Sequence, residues 1–311
     1  MMRALEREVT DAVWSTIEPM LPPRPAKRRG RPRKPDRDVF LAIMWRLVLG
    51  CSWETVEHLL DRRISDTTIR ERRDEWIAAG VFDRLINQAI LAFDRIIGLD
   101  LSEVAVDGSQ HKAPFGGEGT GPSPVDRGKC GWKWSIATDR QGIPIGWEAA
   151  GANQVDSKLL DATLDGVDAR GLLAEIETLH LDRGYDNANV RAICAEFGLG
   201  DVVTAKKRKP VSSKKKAARQ PVPMGMRWPV ERTNSWLSNF GQLRRNTDRF
   251  IHHRIDTLNL AIAVASIAGN ERPRNVLALR SWKLRLNANV PGPVVVHPVR
   301  MRDSSATSVC E

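Results

Sequence analysis

Three acidic side chains stand where carboxylates could do chemistry. Asp107 follows the apolar run Val104-Ala105-Val106, and Asp182 follows Leu179-His180-Leu181, so each falls at the carboxyl end of a short expected strand. Ligands of an α/β sheet gather beyond the carboxyl ends of its parallel strands. Two adjacent strands that end in Asp would therefore aim both side chains at one place. Carboxylates so paired suit two Mg2+ ions about 3.5–4 Å apart, one activating an attacking oxygen and the other stabilising the leaving oxygen of a phosphodiester. A single Asp-Gly is more commonly a turn former, but here both acids follow an apolar strand. The third acid, Glu231, lies near the start of a helix expected from about Pro229. As the third-position Glu of a capping box it would need Trp228 as its cap, and an indole cannot return that bond. Glu231, Asn234, Ser235, Ser238 and Gln242 instead form a polar stripe opposite Leu237 and Phe240, which leaves Glu231 free to face a site.

The elements that must position these acids follow from periodicity. Phe40, Ile43, Met44, Leu47 and Val48 keep helical spacing, with Asp36 or Asp38 as the expected cap and Gly50 as the stop. A short helix over Trp53–Leu60 and a third, capped by Ser65 or Asp66 and ending near Gly80, complete a helix-turn-helix pattern. Its last helix would turn Thr67, Thr68, Arg70 and Arg73 toward a DNA groove; an ordinary helical bundle is the alternative. Strands are expected at 103–108, 132–138, 143–150, 177–182 and 201–205, and helices at 157–165 and 187–197. The fold class is α/β: three antiparallel strands and then two parallel ones, flanked by helices, behind an all-α N-terminal domain. The expected division is 1–100 for the helical DNA-binding domain, 101–270 for the catalytic domain and 271–311 for a C-terminal helix and poorly ordered tail. The long helix from Pro229, with Trp236, Leu237, Phe240 and Leu243 on its apolar side, and another over 255–267 follow the sheet strands.

The net charge of +10 is concentrated. Residues 24–38 carry a net +6 and residues 206–219 a net +8, leaving the rest of the chain slightly acidic. Two dense cationic strips on a near-neutral body suit a polyanion, and nucleic acid is favoured over lipid because neither strip adjoins an amphipathic helix. The longest apolar stretch falls short of the ~18 residues of a membrane span, and the N-terminus lacks the apolar core of a secretion signal. A cytoplasmic protein is expected. The four cysteines are too far apart for a zinc or redox motif, and His111, His180, His252 and His253 are read as structural or solvent-facing.

The motifs together resemble the DDE transposases of bacterial insertion sequences, most closely the insertion sequence 5 family. The likeness is carried by Val106-Asp107-Gly108-Ser109-Gln110, by Leu181-Asp182-Arg183-Gly184-Tyr185-Asp186 and by Arg227-Trp228-Pro229-Val230-Glu231-Arg232-Thr233-Asn234-Ser235-Trp236-Leu237. Trp14, Leu21-Pro22, Gly30-Arg31-Pro32 and Gly50-Cys51-Ser52-Trp53 resemble the family's N-terminal region, and the likeness runs over about residues 10–268. It implies a ribonuclease-H-like fold in which Asp107, Asp182 and Glu231 are the catalytic, metal-binding triad for two Mg2+ ions, with Mn2+ as a substitute. Related transposases carry Tyr, Arg and Lys around the glutamate. Here Arg227 matches the Arg, while Met224 and Ser238 replace the other two, and Arg244 and Arg245 are the expected source of the missing charge.

The expected activity is binding of an element's inverted-repeat ends, metal-dependent DNA cleavage and strand transfer, by a homodimer or higher assembly on double-stranded DNA. Expected DNA contacts are Arg29, Arg31 and Arg33 in a minor groove, and Lys206, Lys207, Arg208, Lys209, Lys214, Lys215 and Lys216 on phosphates. Arg227, Arg232, Arg244 and Arg245 join them beside the glutamate. The alternatives are a nuclease without strand joining and a helix-turn-helix regulator whose acids merely end strands.

Overall fold

The computed structural model describes residues 2–23, 32–204 and 225–269. The elements run α1 (Arg7–Ile17), α2 (Asp36–Leu49), α3 (Trp53–Leu59), α4 (Asp66–Ala78), α5 (Val81–Ile96), β1 (Glu103–Lys112), β2 (Gly121–Pro122), β3 (Cys130–Thr138), β4 (Pro144–Gly151), α6 (Asp156–Asp168), β5 (Thr178–Leu181), α7 (Ala188–Glu196), β6 (Asp201–Thr204), α8 (Trp228–Leu237), α9 (Gly241–Arg244) and α10 (Ile251–Gly269). Arg29, Arg31, Lys206, Lys207, Arg208, Lys209, Lys214, Lys215, Lys216, Met224 and the tail from 271 onward lie outside the described residues.

The sheet is mixed. β4, β3 and β1 are antiparallel neighbours, β1, β5 and β6 are parallel ones, and β2 adds a short pairing at the start of β3. Alternation along β3 assigns its two faces. Ser135 turns to α6, where its hydroxyl accepts from Thr163 at 2.8 Å. Trp134 turns the other way and donates its indole N–H to Asn234 of α8 at 2.8 Å. Trp147 on β4 likewise donates to Asn259 of α10 at 2.8 Å. The Trp134 and Trp147 indole N–H groups thus each find a side-chain amide on the covering helix, which fixes where α8 and α10 sit.

α10 carries the apolar stretch 260–265, in which Ala261, Ile262, Ala263 and Val264 are fully buried. With no polar face along that stretch, α10 must be enclosed there. It packs against the sheet on one side and against α1 and α5 on the other, so the N-terminal helices and the sheet share one core. A second joint is Gly50 against Gly241. A side chain on either glycine would run into the backbone of the other segment, and Gly50 also ends α2 with φ +66°. Beside it Arg46 of α2 reaches Asp248 at 3.1 Å, both side chains being almost wholly buried.

Several sequence expectations need correction. α2 is not capped by Asp36 or Asp38: Pro35 holds the cap position, and Asp36 is in the first turn, buried against Arg72. The helix expected to run on from Pro229 stops at Leu237, because the chain must turn to bring Gly241 onto Gly50, and it resumes only as the one-turn α9. β1 runs past 108 to Lys112, since β3 continues to pair with it. α1, absent from the expected elements, buries Val9, Val13, Trp14 and Ile17 on one face. Of the two expected caps of α4, Ser65 is the one used, accepting from the Thr68 backbone N–H, and Ser52, not among the expected caps, holds α3 in the same way through the Thr55 N–H.

Candidate active site

Parallel pairing between β1 and β5 ends at Val106 opposite Leu181. The next residue on each strand is an aspartate. Asp107 therefore lies in the middle of a long strand rather than at its end, yet it stands just beyond the parallel ladder, beside Asp182. Asp107 shares a sheet face with Ile136, its partner on β3, and hence with Trp134, the face that α8 covers. Each carboxylate also accepts a backbone N–H from the residue after it, Gly108 at 2.9 Å and Arg183 at 2.6 Å.

α8 arrives with its cap residue, Arg227, pointing into this space. One guanidinium nitrogen stands 3.4 Å from Asp107 Oδ2 and 3.3 Å from Glu231 Oε1, and the other stands 3.3 Å from Asp182 Oδ1. Asp107, Asp182 and Glu231, far apart along the chain, thus meet on a single cation. The cap position also accounts for the free glutamate: with Arg227 as N-cap, Glu231 is past the third position and makes no capping bond. The entry to α8 is fixed by His180 on β5, whose Nδ1 accepts from the Met226 N–H at 3.1 Å while Gly225 takes a left-handed conformation against the ring.

Burial differs among the three acids. Asp107 is the most enclosed, Asp182 is half-exposed and Glu231 is open to solvent. Burial pushes the Asp107 carboxyl above its usual range. Arg227 and the Gly108 N–H pull it down, and Asp182 and Asp156 add to the rise. Asp156, in the first turn of α6, approaches from the opposite sheet face. Its carboxylate fills the space a side chain at Gly108 would take and pairs with Lys133 at 2.5 Å. Sequence reasoning missed Asp156, Lys133 and the central role of Arg227; the glycine following Asp107 was the one local sign that something packs closely there.

The donor set is all carboxylate oxygen, which suits a hard divalent cation such as Mg2+ or Mn2+. The guanidinium already marks the point where positive charge is stabilised. As the side chains stand, separated by Arg227, no three acidic, His or Cys groups among the described residues are close enough to ligate one ion.

The other expected contacts divide. Thr67, Thr68 and Arg70 lie on the outer side of the start of α4, with Arg70 paired to Asp66 at 2.5 Å. Arg73 does not face outward. It is 8% exposed, with its guanidinium near Asp74, Asp248 and the Trp53 ring. Arg33 is folded onto Glu75 at 2.9 Å. Arg232 points away from the acids, stacked between Trp228 and Trp236 at 4.7 Å from each ring. Arg244 and Arg245 are exposed. His111 is half-buried, stacked on Trp134, with a pKa lowered to about 4 by burial of its ring.

A family model described as "Transposase DDE domain" matches residues 98–265, more than half of the chain. The chain belongs to the DDE transposase domain family. A second model, "Putative transposase of IS4/5 family", matches residues 9–86 of this DDE-domain chain, the region of α1 to α5. The DDE-domain chain is 33% identical over 135 residues to "Putative transposase for insertion sequence element IS402" of Burkholderia cepacia, covering 42% of the chain and 60% of that relative. It therefore spans only about three fifths of that relative's length. It is also 33% identical over 119 residues to "Insertion element IS402 uncharacterized 16.2 kDa protein" of the same organism, covering 37% of the chain and 80% of the relative. Among solved structures it overlaps "Crystal structure of a pre-cleavage Mos1 transpososome" at 12% identity, over 85% of this chain and 82% of that one, with a TM-score of 0.30. A Mos1 paired-end complex with Mn gives 0.28 at 13% identity, over 85% and 82%. Overlaps so loose do not allow the sites to be compared.

Proposed function

We propose that this chain is a transposase that binds the inverted-repeat ends of its own insertion sequence, hydrolyses the DNA phosphodiester to free a 3′-OH and joins that hydroxyl to target DNA. The observation that carries this reading is the meeting of Asp107, Asp182 and Glu231 on one guanidinium. The strand order supports a ribonuclease-H-like assignment for the sheet, and membership of the DDE family supports the reaction class.

In this proposal Asp107, Asp182 and Glu231 hold divalent metal, Mg2+ with Mn2+ as a substitute. The metal pair supplies activation of the attacking oxygen and stabilisation of the leaving one, for both in-line displacements. The chain's own residues set the charge and the geometry. β1 and β5 fix the two aspartates side by side, α8 brings the glutamate, and Arg227 competes with metal for the same oxygens. Lys133 keeps Asp156 neutralised on the far face, so that it does not draw cations away from the triad. Thr67, Thr68 and Arg70 of α4, with Arg29, Arg31, Arg33 and the 206–219 strip, would hold DNA, and the working form would be a dimer or larger on paired ends.

The test is cleavage of a duplex carrying the element's end, in Mg2+. The Asp107→Asn variant should bind the duplex and leave it uncut; cleavage by that variant contradicts the assignment. A pre-cleaved end with a plasmid target separates a transposase, which joins them, from a nuclease, which does not.

A further inference from the structure

The loop after β1 displays an aromatic side chain in a way that folding alone does not require. Phe115 is 66% exposed, and Phe250, before α10, is 48% exposed and stacked on His252. The two segments are bound together. Glu118 N–H donates to the Arg249 carbonyl at 2.8 Å, and the Ile251 N–H donates to the Glu118 carboxylate at 3.2 Å. Beneath them Arg254, wholly buried, donates to the carbonyls of Gly116, Glu118 and Asp248. A fully buried arginine spent on three loop carbonyls is a rigid mount. Gly117, at φ +103°, lies so close to the Arg249 backbone that no side chain fits there. The loop backbone next to Phe115 is therefore tied down, with the ring exposed.

The segments that form and adjoin this mount carry exposed cations. Lys112, Arg244, Arg245 and Arg249 are all exposed, and Lys112 and Arg245 are bridged through the backbone. None of the four has an ion-pair partner among the described residues. The nearby acids are already engaged, Asp248 by Arg46 and Arg73, and Glu118 by the Ile251 N–H. Unpaired cations on segments tied to the loop of an exposed aromatic ring suit a strand of phosphates with a base step between them. A second copy of the chain is a poor occupant, because a self-complementary contact would face these cations with themselves.

We infer that Phe115, flanked by Phe250, is a wedge that enters between base pairs of the bound DNA end while Lys112, Arg244, Arg245 and Arg249 hold the adjoining phosphates. The inference rests on the proposal that DNA is the substrate. Position follows from strand geometry. β1 carries the chain about 17 Å from Asp107 to Lys112 at ~3.4 Å per residue. At ~3.4 Å per base pair the unstacked step should lie roughly five to eight base pairs from the cleaved phosphate.

The experiment places 2-aminopurine singly at successive positions of the end duplex and reads its fluorescence, with affinity and Mg2+-dependent cleavage measured on the same samples. The wild-type protein should brighten the probe at one step in that window. Phe115→Ala should abolish the brightening and weaken binding about 5- to 100-fold, Phe115→Trp should retain it, and Val125→Ala, an exposed apolar control, should change neither. Brightening that persists in Phe115→Ala overturns the wedge, as does wild-type cleavage with no brightened step. A protein that brightens the step but cuts nothing keeps the wedge and loses the transposase. Loss of self-association in Phe115→Ala with unchanged DNA affinity would mean that the ring contacts a second copy, and it also overturns the wedge.

Discussion

Arg227 places one guanidinium nitrogen 3.4 Å from Asp107 Oδ2, and that contact opposes the burial that raises the Asp107 pKa. The same nitrogen reaches Glu231, and its neighbour on the guanidinium reaches Asp182. A residue at the start of α8 thus links the ends of two paired strands to its own helix through ion pairs, those to Asp107 and Asp182 also being hydrogen bonds.

Removing that charge has a direction. In Arg227→Gln the attraction that lowers the Asp107 pKa is lost, so the pKa rises further. If ionised Asp107 is required, the acid limb of the cleavage profile moves to higher pH. A shift of one unit corresponds to about a tenfold loss of rate on that limb, fading at alkaline pH. An acid limb that stays put, or moves down, would contradict the coupling.

Asp256 offers a stability test away from the site. Burial and the neighbouring Asp83 raise its pKa to about 8, against a weaker opposing pull from Arg73. A carboxyl raised in the folded state contributes stability that is complete below its unfolded value of 3.8 and is lost as pH rises through about 8. Asp256→Asn should therefore unfold at a higher temperature than the wild type at pH 9 and show little advantage at pH 4. Thermal melts at the two pH values decide it, and an equal shift at both would show that the group does not titrate in this way.

The glycine joint predicts a packing defect. Gly241→Ala pushes a methyl group into the Leu49 and Gly50 backbone, where no flexible side chain can yield. The cost should be about 2 kcal/mol or more, read as a lower midpoint in urea. An unchanged midpoint would mean that α9 is not seated on the end of α2.

Arg73 and Arg70 should separate stability from surface charge. Arg73→Ala leaves Asp248 and Asp74 with one cation fewer and strips a buried contact from Trp53, so the protein should lose about 2 kcal/mol or more. Arg70→Ala removes an exposed i, i+4 pair and should cost less than about 0.5 kcal/mol. Comparable losses in the two variants would contradict the burial of Arg73.

Much of this architecture is legible in the residues. Val104-Ala105-Val106 and Leu179-His180-Leu181 read as strands because each is a short apolar run bounded by a turn-forming Asp, and the helix cap at Ser65 is local chemistry. What is not legible depends on partners far along the chain. Arg73 reads as an outward-facing residue on α4 until Asp248, 175 positions away, is brought beneath it. β1 is extended by β3, and α8 is cut short by the fit of Gly241 on Gly50; neither cause lies in the segment affected. Arg227 reads as a DNA contact in sequence, and only the folded chain sets it among three carboxylates.

The central claim is that Asp107, Asp182 and Glu231 form one cation-binding centre. It is tested most directly by titrating Mn2+ into the protein and following bound metal by electron paramagnetic resonance, with Asp182→Asn and Glu231→Gln beside the wild type. The account predicts that each substitution weakens Mn2+ binding at least about tenfold and that Arg227→Gln does not weaken it, since Arg227 competes for the same oxygens. Wild-type Mn2+ affinity in the Asp182→Asn or Glu231→Gln protein would contradict it.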